Sequence, residues 1–405
     1  MKNTLQKIKN HPFKKNTKVV FFITIFILLM NILAIICHPF AKFYRKYIFH
    51  YCSTVMSGVM GLFRISVGEV MICIGIGLII LAVIIFILGF IKMPVFKKIR
   101  KYFFRFIVYV LVFIYFTETF HCFMLYHAGT LKKELVQINQ RVEKGTLDNA
   151  ISTDIYEMSG VELSQVSDDS KISDIEKLLL TYNHVTVKIN ELSVKMKRKS
   201  NGDLVNDYTY NECKSAMYHT SKYYPLLKGY YPNPKKIYFS DLMSQQYLAG
   251  IYFPFSMEAN YNQIMYCSNY PSVICHELSH LKGYIREDEA NFIAYVACIN
   301  SDNDFIKYSG YLSVYYYLEN DLYEYGDDSI HSRMQKLNDF AKYDNIFLKE
   351  EDFERIEENA VISTEKLSEA TDQFLDSNLK MNGVSSGMDN YNEVVKLLIF
   401  YYGLI

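Results

Sequence analysis

Hydrophobic residues are concentrated in the first third of the chain, where they form three long runs. The runs cover about residues 19–39, 67–91 and 103–125. Each run is long enough to cross the apolar core of a bilayer as a helix of about 20 residues. The first run lacks the small-residue cleavage site of a signal peptide, and two further runs follow it, so we predict that it is retained. The pattern therefore predicts a multi-pass α-helical membrane region.

The basic residues that flank these runs predict how the helices are oriented. The tail 1–18 carries six lysines, and the short loop after the second run carries five basic residues between Lys92 and Lys101. The longer loop after the first run carries only four. Because loops rich in lysine and arginine stay on the cytoplasmic side, we expect the tail and the second loop to be cytoplasmic. Residues 127–405 are then predicted to form an extracytoplasmic domain of a multi-pass cell-membrane protein.

The rest of the chain has the mixed pattern of a globular domain. Helical periodicity extends from Thr130 to about Arg198, with a break near Ser167–Ser170, and returns at Asn211–Tyr223. Short aromatic segments then predict the strands of a small sheet, and these are Lys236–Phe239, Gly250–Phe255 and Gln263–Tyr266. Helical patterns continue from there to about Leu404. The predicted domain is mostly α-helical with one small β-sheet.

Net charge and cysteine spacing exclude several classes of function. The chain has 43 basic and 43 acidic residues, so it lacks the basic bias of a nucleic-acid-binding protein, and we predict no nucleic-acid partner. Its eight cysteines include no C-x-x-C pair, so neither a zinc ribbon nor a thioredoxin-like site is indicated. Cys275 and Cys298 lie on apolar helical patterns, and we predict that both are buried thiols.

Candidate chemistry is concentrated in the run His276-Glu277-Leu278-Ser279-His280. On a helix, two histidines four residues apart lie on one face and can bind one zinc ion, while the glutamate beside them can take a proton from water. The alternative is a polar helix with two exposed histidines. Apolar residues in and before the run favour a helix inside a folded domain, and Gly283 is placed to end it.

A longer set of motifs resembles an uncharacterised family of bacterial membrane proteins, known as domain of unknown function 3810. The resemblance extends over Pro234–Leu312 and, with the three apolar runs, covers most of the chain. It implies a zinc peptidase. The segments that carry it are Ser240–Ser244, Gly250–Phe255, Glu258–Asn260, Ile274–His280, Gly283, Arg286–Phe292, Tyr308–Leu312, Tyr391–Val395 and Leu397-Leu398.

A more distant resemblance implies the third zinc ligand. Membrane zinc peptidases of the prenyl-protease and β-lactam-sensor types follow the two-histidine motif with Glu-x-x-Ala-Asp, whose glutamate binds the metal. Glu287 matches that glutamate, and Asn291 replaces the aspartate. The spacer between His280 and Glu287 is much shorter than in those families. Glu289 is a rival ligand, but its helix face carries core residues, so Glu287 is preferred.

Together these observations predict a membrane-anchored zinc metallopeptidase with a zincin-like, gluzincin-like active-site helix. His276, His280 and Glu287 would bind Zn²⁺, and Glu277 would be the general base acting on a peptide or protein substrate. The alternative is a non-catalytic, zinc-containing sensory or binding protein of the cell envelope.

Two further features of the predicted site stay open. Tyr284, Arg286 and His331 are candidates for stabilising the oxyanion. The segment Gly250–Phe255, which contains Pro254, is either an edge strand that pairs with an extended substrate or an ordinary packed strand.

Overall fold

The structure is a computed structural model that describes residues 12–90, 94–132, 135, 173–382, 384 and 393–402. Most of the basic tail 1–18 lies outside these residues. So does the part of the predicted helical region between 136 and 172, including the break near Ser167–Ser170.

The N-terminal part is helical almost throughout. Three of its helices are long and apolar enough to cross a membrane, in the segments Thr17–Ile36, Val67–Leu88 and Pro94–Tyr126. These correspond to the three predicted runs, and they indicate a membrane protein. In chain order the elements are α1 (Pro12–Ile36), α2 (His38–Phe43), a π-helix (Tyr44–Phe49), α3 (His50–Met60), α4 (Val67–Leu88), α5 (Pro94–Glu118), a second π-helix (Thr119–Phe123) and α6 (Met124–Tyr126).

The large apolar side chains of α4 are mostly exposed. Ile79, Val83 and Ile87 are each more than half exposed. A soluble protein rarely leaves so continuous an apolar surface in water, so this surface suits a lipid environment. The helix begins at Ser66, whose hydroxyl accepts a hydrogen bond from the amide of Glu69 and so satisfies one of the unpaired amides of the first turn.

The remaining described residues form a mostly helical domain with one small sheet, as the sequence predicts. Its helices are α7 (Asp174–Ser193), α8 (Tyr210–Thr220), α9 (Ser240–Ser244), α10 (Tyr270–His280), α11 (Glu287–Ile299), α12 (Asp304–Tyr325), α13 (Asp328–His331), α14 (Asp339–Asp344), α15 (Glu350–Asn359), α16 (Thr364–Met381) and α17 (Glu393–Tyr401), with 3₁₀ turns at Pro225–Leu227 and Cys267–Asn269. Its strands are β1 (Lys235–Ile237), β2 (Gly250–Phe253) and β3 (Glu258–Asn262).

The sheet has the strand order β1-β3-β2, with β3 parallel to β1 and antiparallel to β2. The prediction of a strand at Gln263–Tyr266 is wrong, because those residues form a turn. The third strand is Glu258–Asn262. The polar sequence of β3 concealed it. Its side chains are buried but hydrogen-bonded: the amide nitrogen of Asn262 donates to the Ser244 hydroxyl, and that of Asn260 donates to the Ile251 carbonyl.

Helix α10 lies between the sheet and the helices α11 and α12. Its inner face is formed by Ile274, Cys275 and Leu278, which are fully buried. Cys275 and Cys298 are both buried, unpaired thiols, as the sequence predicts. Because α10 is packed on both sides, its position relative to β2 and α11 is fixed by the core.

The segment between the first two apolar helices packs onto this domain. The hydroxyl of Ser53 in α3 donates to the Leu281 carbonyl at 2.6 Å. The Arg45 side chain is buried, and its guanidinium lies 5.7 Å from the ring centroid of Tyr284. Membrane-proximal and domain residues therefore share one core at this junction.

A second junction is built around the buried carboxylate of Glu258 in β3. It accepts hydrogen bonds from the amide of Gly68 at 2.8 Å, from the Ser256 hydroxyl at 2.7 Å and from the Lys235 ammonium. Lys235 also donates to the Met60 carbonyl at 2.8 Å. The carboxylate thus lies at the N-terminus of α4, where the helix dipole favours negative charge.

We expect Lys235→Met to destabilise the protein by about 3–5 kcal/mol, because it leaves Glu258 charged and buried without its cation. The measurement is the free energy of unfolding of the full chain in detergent. Lys396→Met is the matched control, since Lys396 pairs with Glu393 on the surface, where both side chains are largely exposed. That substitution should lower the free energy of unfolding by less than about 1 kcal/mol. Equal stability of the two variants would contradict the assigned role of the buried pair.

Candidate metal centre

The two motif histidines lie at the C-terminal end of α10. Pro271 occupies the first turn of this helix, where its missing N–H costs nothing. The helix ends at His280, and Gly283 follows with a φ of +90°, a conformation that glycine adopts without strain. This left-handed residue lets the short loop turn back, so that α11 begins with Glu287 next to the end of α10.

The structure brings the side chains of His276, His280 and Glu287 together. The Nε2 atoms of the two histidines are 3.0 Å apart, and Glu287 carboxylate oxygens lie 3.1 Å from His276 Nε2 and 3.8 Å from His280 Nε2. Tetrahedral ligands at zinc distances of about 2.0–2.1 Å are separated by about 3.3 Å. With separations of 3.0–3.8 Å, the three donors are close enough together to bind one metal ion.

A hydrogen bond to the backbone orients the ring of His280. The Nδ1–H of His280 donates to the Tyr284 carbonyl at 2.7 Å. This places the proton on Nδ1 and leaves the lone pair of Nε2 for a metal. Asn291, one turn after Glu287 in α11, lies close enough to His276 to contribute to its raised pKa. Asn291 thus lies near a candidate donor, at the position where the more distant families carry aspartate.

Glu277 is the fourth member of the site. Its side chain is buried, and its Oε2 has no hydrogen-bond partner among the described residues. Burial raises the pKa of this carboxyl to about 8, with His276 opposing the increase. An unpartnered buried carboxylate oxygen beside three donors fits a site that holds a cation and an attacking water.

Gly250, the first residue of β2, packs directly against this carboxylate. A Cβ atom at position 250 would lie 2.4 Å from Oε1 of Glu277 and 2.8 Å from its Cγ. Only glycine leaves room for the present position of the carboxylate. The edge of the sheet therefore fixes Glu277 from the side opposite the core of α10.

The charges of the three donor residues are strongly coupled. Burial opposes charge on His276, but the hydrogen bond and the charge of Glu287 outweigh it and raise the pKa of His276 to about 9. Burial dominates at His280 and lowers its pKa to about 4. The pKa of Glu287 is lowered, because the two histidines outweigh its burial. Without a metal, these groups therefore favour a protonated His276 beside the charged carboxylate of Glu287. A divalent cation would take the place of the proton on His276.

Glu289, the rival ligand, has a different environment. It is buried, and its Oε1 accepts a hydrogen bond from the amide of Leu131 at 2.6 Å. Burial and the neighbouring Asp288 raise its pKa to about 8, although Arg45 opposes the increase. Its carboxyl therefore ties the chain that follows the third apolar helix to α11. Among the described residues, the cluster able to hold a metal is formed by His276, His280 and Glu287.

The three oxyanion candidates have different surroundings. Tyr284 is fully buried with its ring near Arg45, and His331 donates from Nε2 to the Leu322 carbonyl. Arg286 precedes Glu287 and forms an ion pair with Asp288 at 3.4 Å.

Three tyrosines that sequence reasoning did not single out also lie near the candidate donors. The ring centroid of Tyr252 is 5.7 Å from that of His280. The pKa of Tyr317 is raised to about 12 by burial and by the charge of Glu287. Tyr126 is also close enough to Glu287 to interact with its charge. Among 35 tyrosines, no local pattern distinguishes these three, because long-range packing alone brings them to the site.

We expect Glu287→Gln to weaken zinc binding by at least ~100-fold, because it replaces a charged ligand, whereas changes behind a ligand cost about 10–100-fold. Glu289→Gln is the matched control. Its amide oxygen can still accept from Leu131, so zinc affinity should stay within about threefold. The measurement is competition with a chromophoric chelator on the full chain in detergent. Loss of zinc from Glu289→Gln with retention by Glu287→Gln would contradict the assignment.

The comparison with known proteins identifies a family. Residues 44–399 match the family described as protein of unknown function (DUF3810), as the resemblance of the motifs suggests. No curated protein and no solved structure matches the chain. The matched region includes the segment between the first two apolar helices, the sheet, both motif helices and most of α17. The chain therefore belongs to the DUF3810 family.

Proposed function

We propose that this protein is a membrane-anchored zinc metallopeptidase that hydrolyses peptide bonds on the outer face of a bacterial membrane. The observation that carries the proposal is the placement of three zinc-type donors, on His276, His280 and Glu287, around one point with the buried carboxylate of Glu277 beside them. A purely structural zinc site would require a fourth protein ligand. Among the described residues none completes this group. In this proposal α10 is a zincin-like helix with a gluzincin-like donor set.

Contacts of the first inter-helix segment support the proposed multi-pass topology. That segment and the domain lie against each other through Ser53 and Arg45, so both belong on one side of the membrane. The segment carries few basic residues, whereas the tail and the second loop carry many. The proposed arrangement has three spans, a cytoplasmic N-terminus and an extracytoplasmic domain.

The proposed chemistry divides between the metal and Glu277. When bound, zinc would supply a Lewis acid that polarises the scissile carbonyl and makes an attacking water acidic near neutral pH. A bound cation would favour the ionised form of Glu277. Its carboxylate would then take the proton of that water and later deliver it to the leaving amine. Oε2, for which the described residues provide no hydrogen-bond partner, is the oxygen available for this transfer. The Tyr284 carbonyl would hold the imidazole of His280 in the orientation that presents Nε2.

Strand β2 is the proposed binding edge for an extended peptide. Among the described strands it pairs only with β3. The amide of Asn262 donates to the Ala249 carbonyl at 2.8 Å. By the alternation of an antiparallel ladder, this bond directs the backbone groups of Gly250 and Tyr252 away from β3. A substrate strand bonded to these groups would pass beside Glu277.

We expect Glu277→Gln to keep zinc but to lower peptide hydrolysis by about 10²–10⁴-fold, because the amide cannot take a proton. Gly250→Ala should also keep zinc and lower turnover, since its methyl group displaces the same carboxylate. The measurement is the cleavage of a fluorogenic peptide library by the zinc-loaded full chain. Zinc retention with full activity in Glu277→Gln would contradict the mechanism. Zinc-loaded wild-type protein that cleaves nothing would favour the sensory or binding alternative.

A further inference from the structure

The candidate site lies at the ends of two of the apolar helices. Tyr126, the last residue of the third membrane-length segment, lies near the Glu287 carboxylate. Tyr252 of β2 lies near the residues Glu118 and Cys122 of that segment, while its ring lies against His280. The third apolar helix therefore ends beside the metal ligands rather than at a distant face of the domain.

The far end of β2 is held by both of these helices. The ring of Phe253 packs on Gly68 in the first turn of α4, where an added Cβ would lie 2.6 Å from the ring. The Nδ1–H of His121 donates to the Pro254 carbonyl at 2.6 Å. The strand thus begins at Glu277 and ends between the second and third apolar helices.

The length of β2 sets the distance between the catalytic carboxylate and the level of Gly68 and His121, where the strand ends. From Gly250 to Phe253 there are three residue steps of about 3.3–3.4 Å, or about 10 Å in total. A polypeptide paired along the free edge of β2 would cover the same distance with about three residues. A peptide bond at Glu277 would therefore lie about three residues from the level of Gly68 and His121 in the second and third apolar helices.

An exposed aromatic pair marks the same level on the domain surface. The side chains of Tyr238 and Phe239 are 80% and 49% exposed, and their amides donate to the Glu69 carboxylate in the first turn of α4. Aromatic residues are enriched where a membrane helix enters the headgroup region. Because these two rings adjoin the start of an apolar helix, lipid is the occupant that fits them.

We propose that the substrate is a polypeptide anchored in the same membrane, bound as an extended strand along β2 and cut within a few residues of the bilayer surface. This inference rests on the proposed peptidase function. Anchoring raises the effective concentration of a nearby segment at the site, and the advantage falls as the linker lengthens. A linker shorter than about three residues cannot span the 10 Å to Glu277. Cleavage should therefore have a sharp lower limit and a gradual decline with distance.

The test uses the zinc-loaded full chain in proteoliposomes with a series of model substrates. Each substrate has one transmembrane helix, then a linker of 0, 3, 6, 12 or 20 Gly-Ser residues, and then a randomised segment of about ten residues. The linker lengths are chosen to fall below and above the roughly 10 Å that β2 spans. The same randomised segment is also supplied as a free peptide. Mass spectrometry locates the cuts, and the rates are compared at equal substrate amounts.

We expect the fastest cleavage of anchored substrates with linkers of about three to six residues, and at least ~10-fold slower cleavage at the longest linker and of the free peptide. The double variant Tyr238→Ser/Phe239→Ser changes two exposed residues outside the site. It should slow cleavage of anchored substrates and leave the rate on free peptide unchanged. Equal rates on free and anchored substrates, with no dependence on linker length, would overturn the inference while leaving the peptidase intact. No cleavage of any substrate would overturn the peptidase proposal itself.

Discussion

The candidate metal centre depends on how the loop between α10 and α11 is held. The two histidines are one turn apart on a single helix, but Glu287 reaches them only because the chain reverses within a few residues at Gly283. Arg45 packs over this reversal, with its Cγ 3.0 Å from the position that a Cβ of residue 283 would occupy. The hydroxyl of Ser53 donates a hydrogen bond to the Leu281 carbonyl, two residues before Gly283. The loop that completes the donor set is therefore packed by residues that precede the second apolar helix.

This arrangement makes the membrane-proximal region part of the site. The carboxylate of Glu258 connects the central strand to the start of α4, and Glu289 connects α11 to the chain that follows the third apolar helix. Both groups are buried, and each satisfies backbone amides that would otherwise lack partners. The positions of β2 and α11, and with them Glu277 and Glu287, are thus tied to the ends of the apolar helices. For this reason the whole chain, rather than the domain alone, is the appropriate material for measuring zinc binding.

Local sequence patterns predict much of this structure. The apolar runs indicate the membrane-length helices, and the four-residue spacing places His276 and His280 on one face. The face arguments for α11 favour Glu287 over Glu289, and the structure places Glu287 beside the histidines. The strand β3 escaped prediction because its polar side chains resemble a loop, and only buried partners far along the chain make them compatible with a sheet. No local sequence pattern predicts the contacts of Arg45, Ser53 and the three tyrosines, because each contact joins segments that are distant in sequence.

The most direct measurement of the central claim is the zinc content of the full-length wild-type protein, combined with X-ray absorption at the zinc edge. After purification in detergent, incubation with zinc and removal of the excess, the account predicts about one zinc ion per chain. Its ligands should be two imidazole nitrogens at about 2.0–2.1 Å and oxygen donors without sulfur. Protein that keeps no zinc, or zinc bound through cysteine sulfur, would contradict the account.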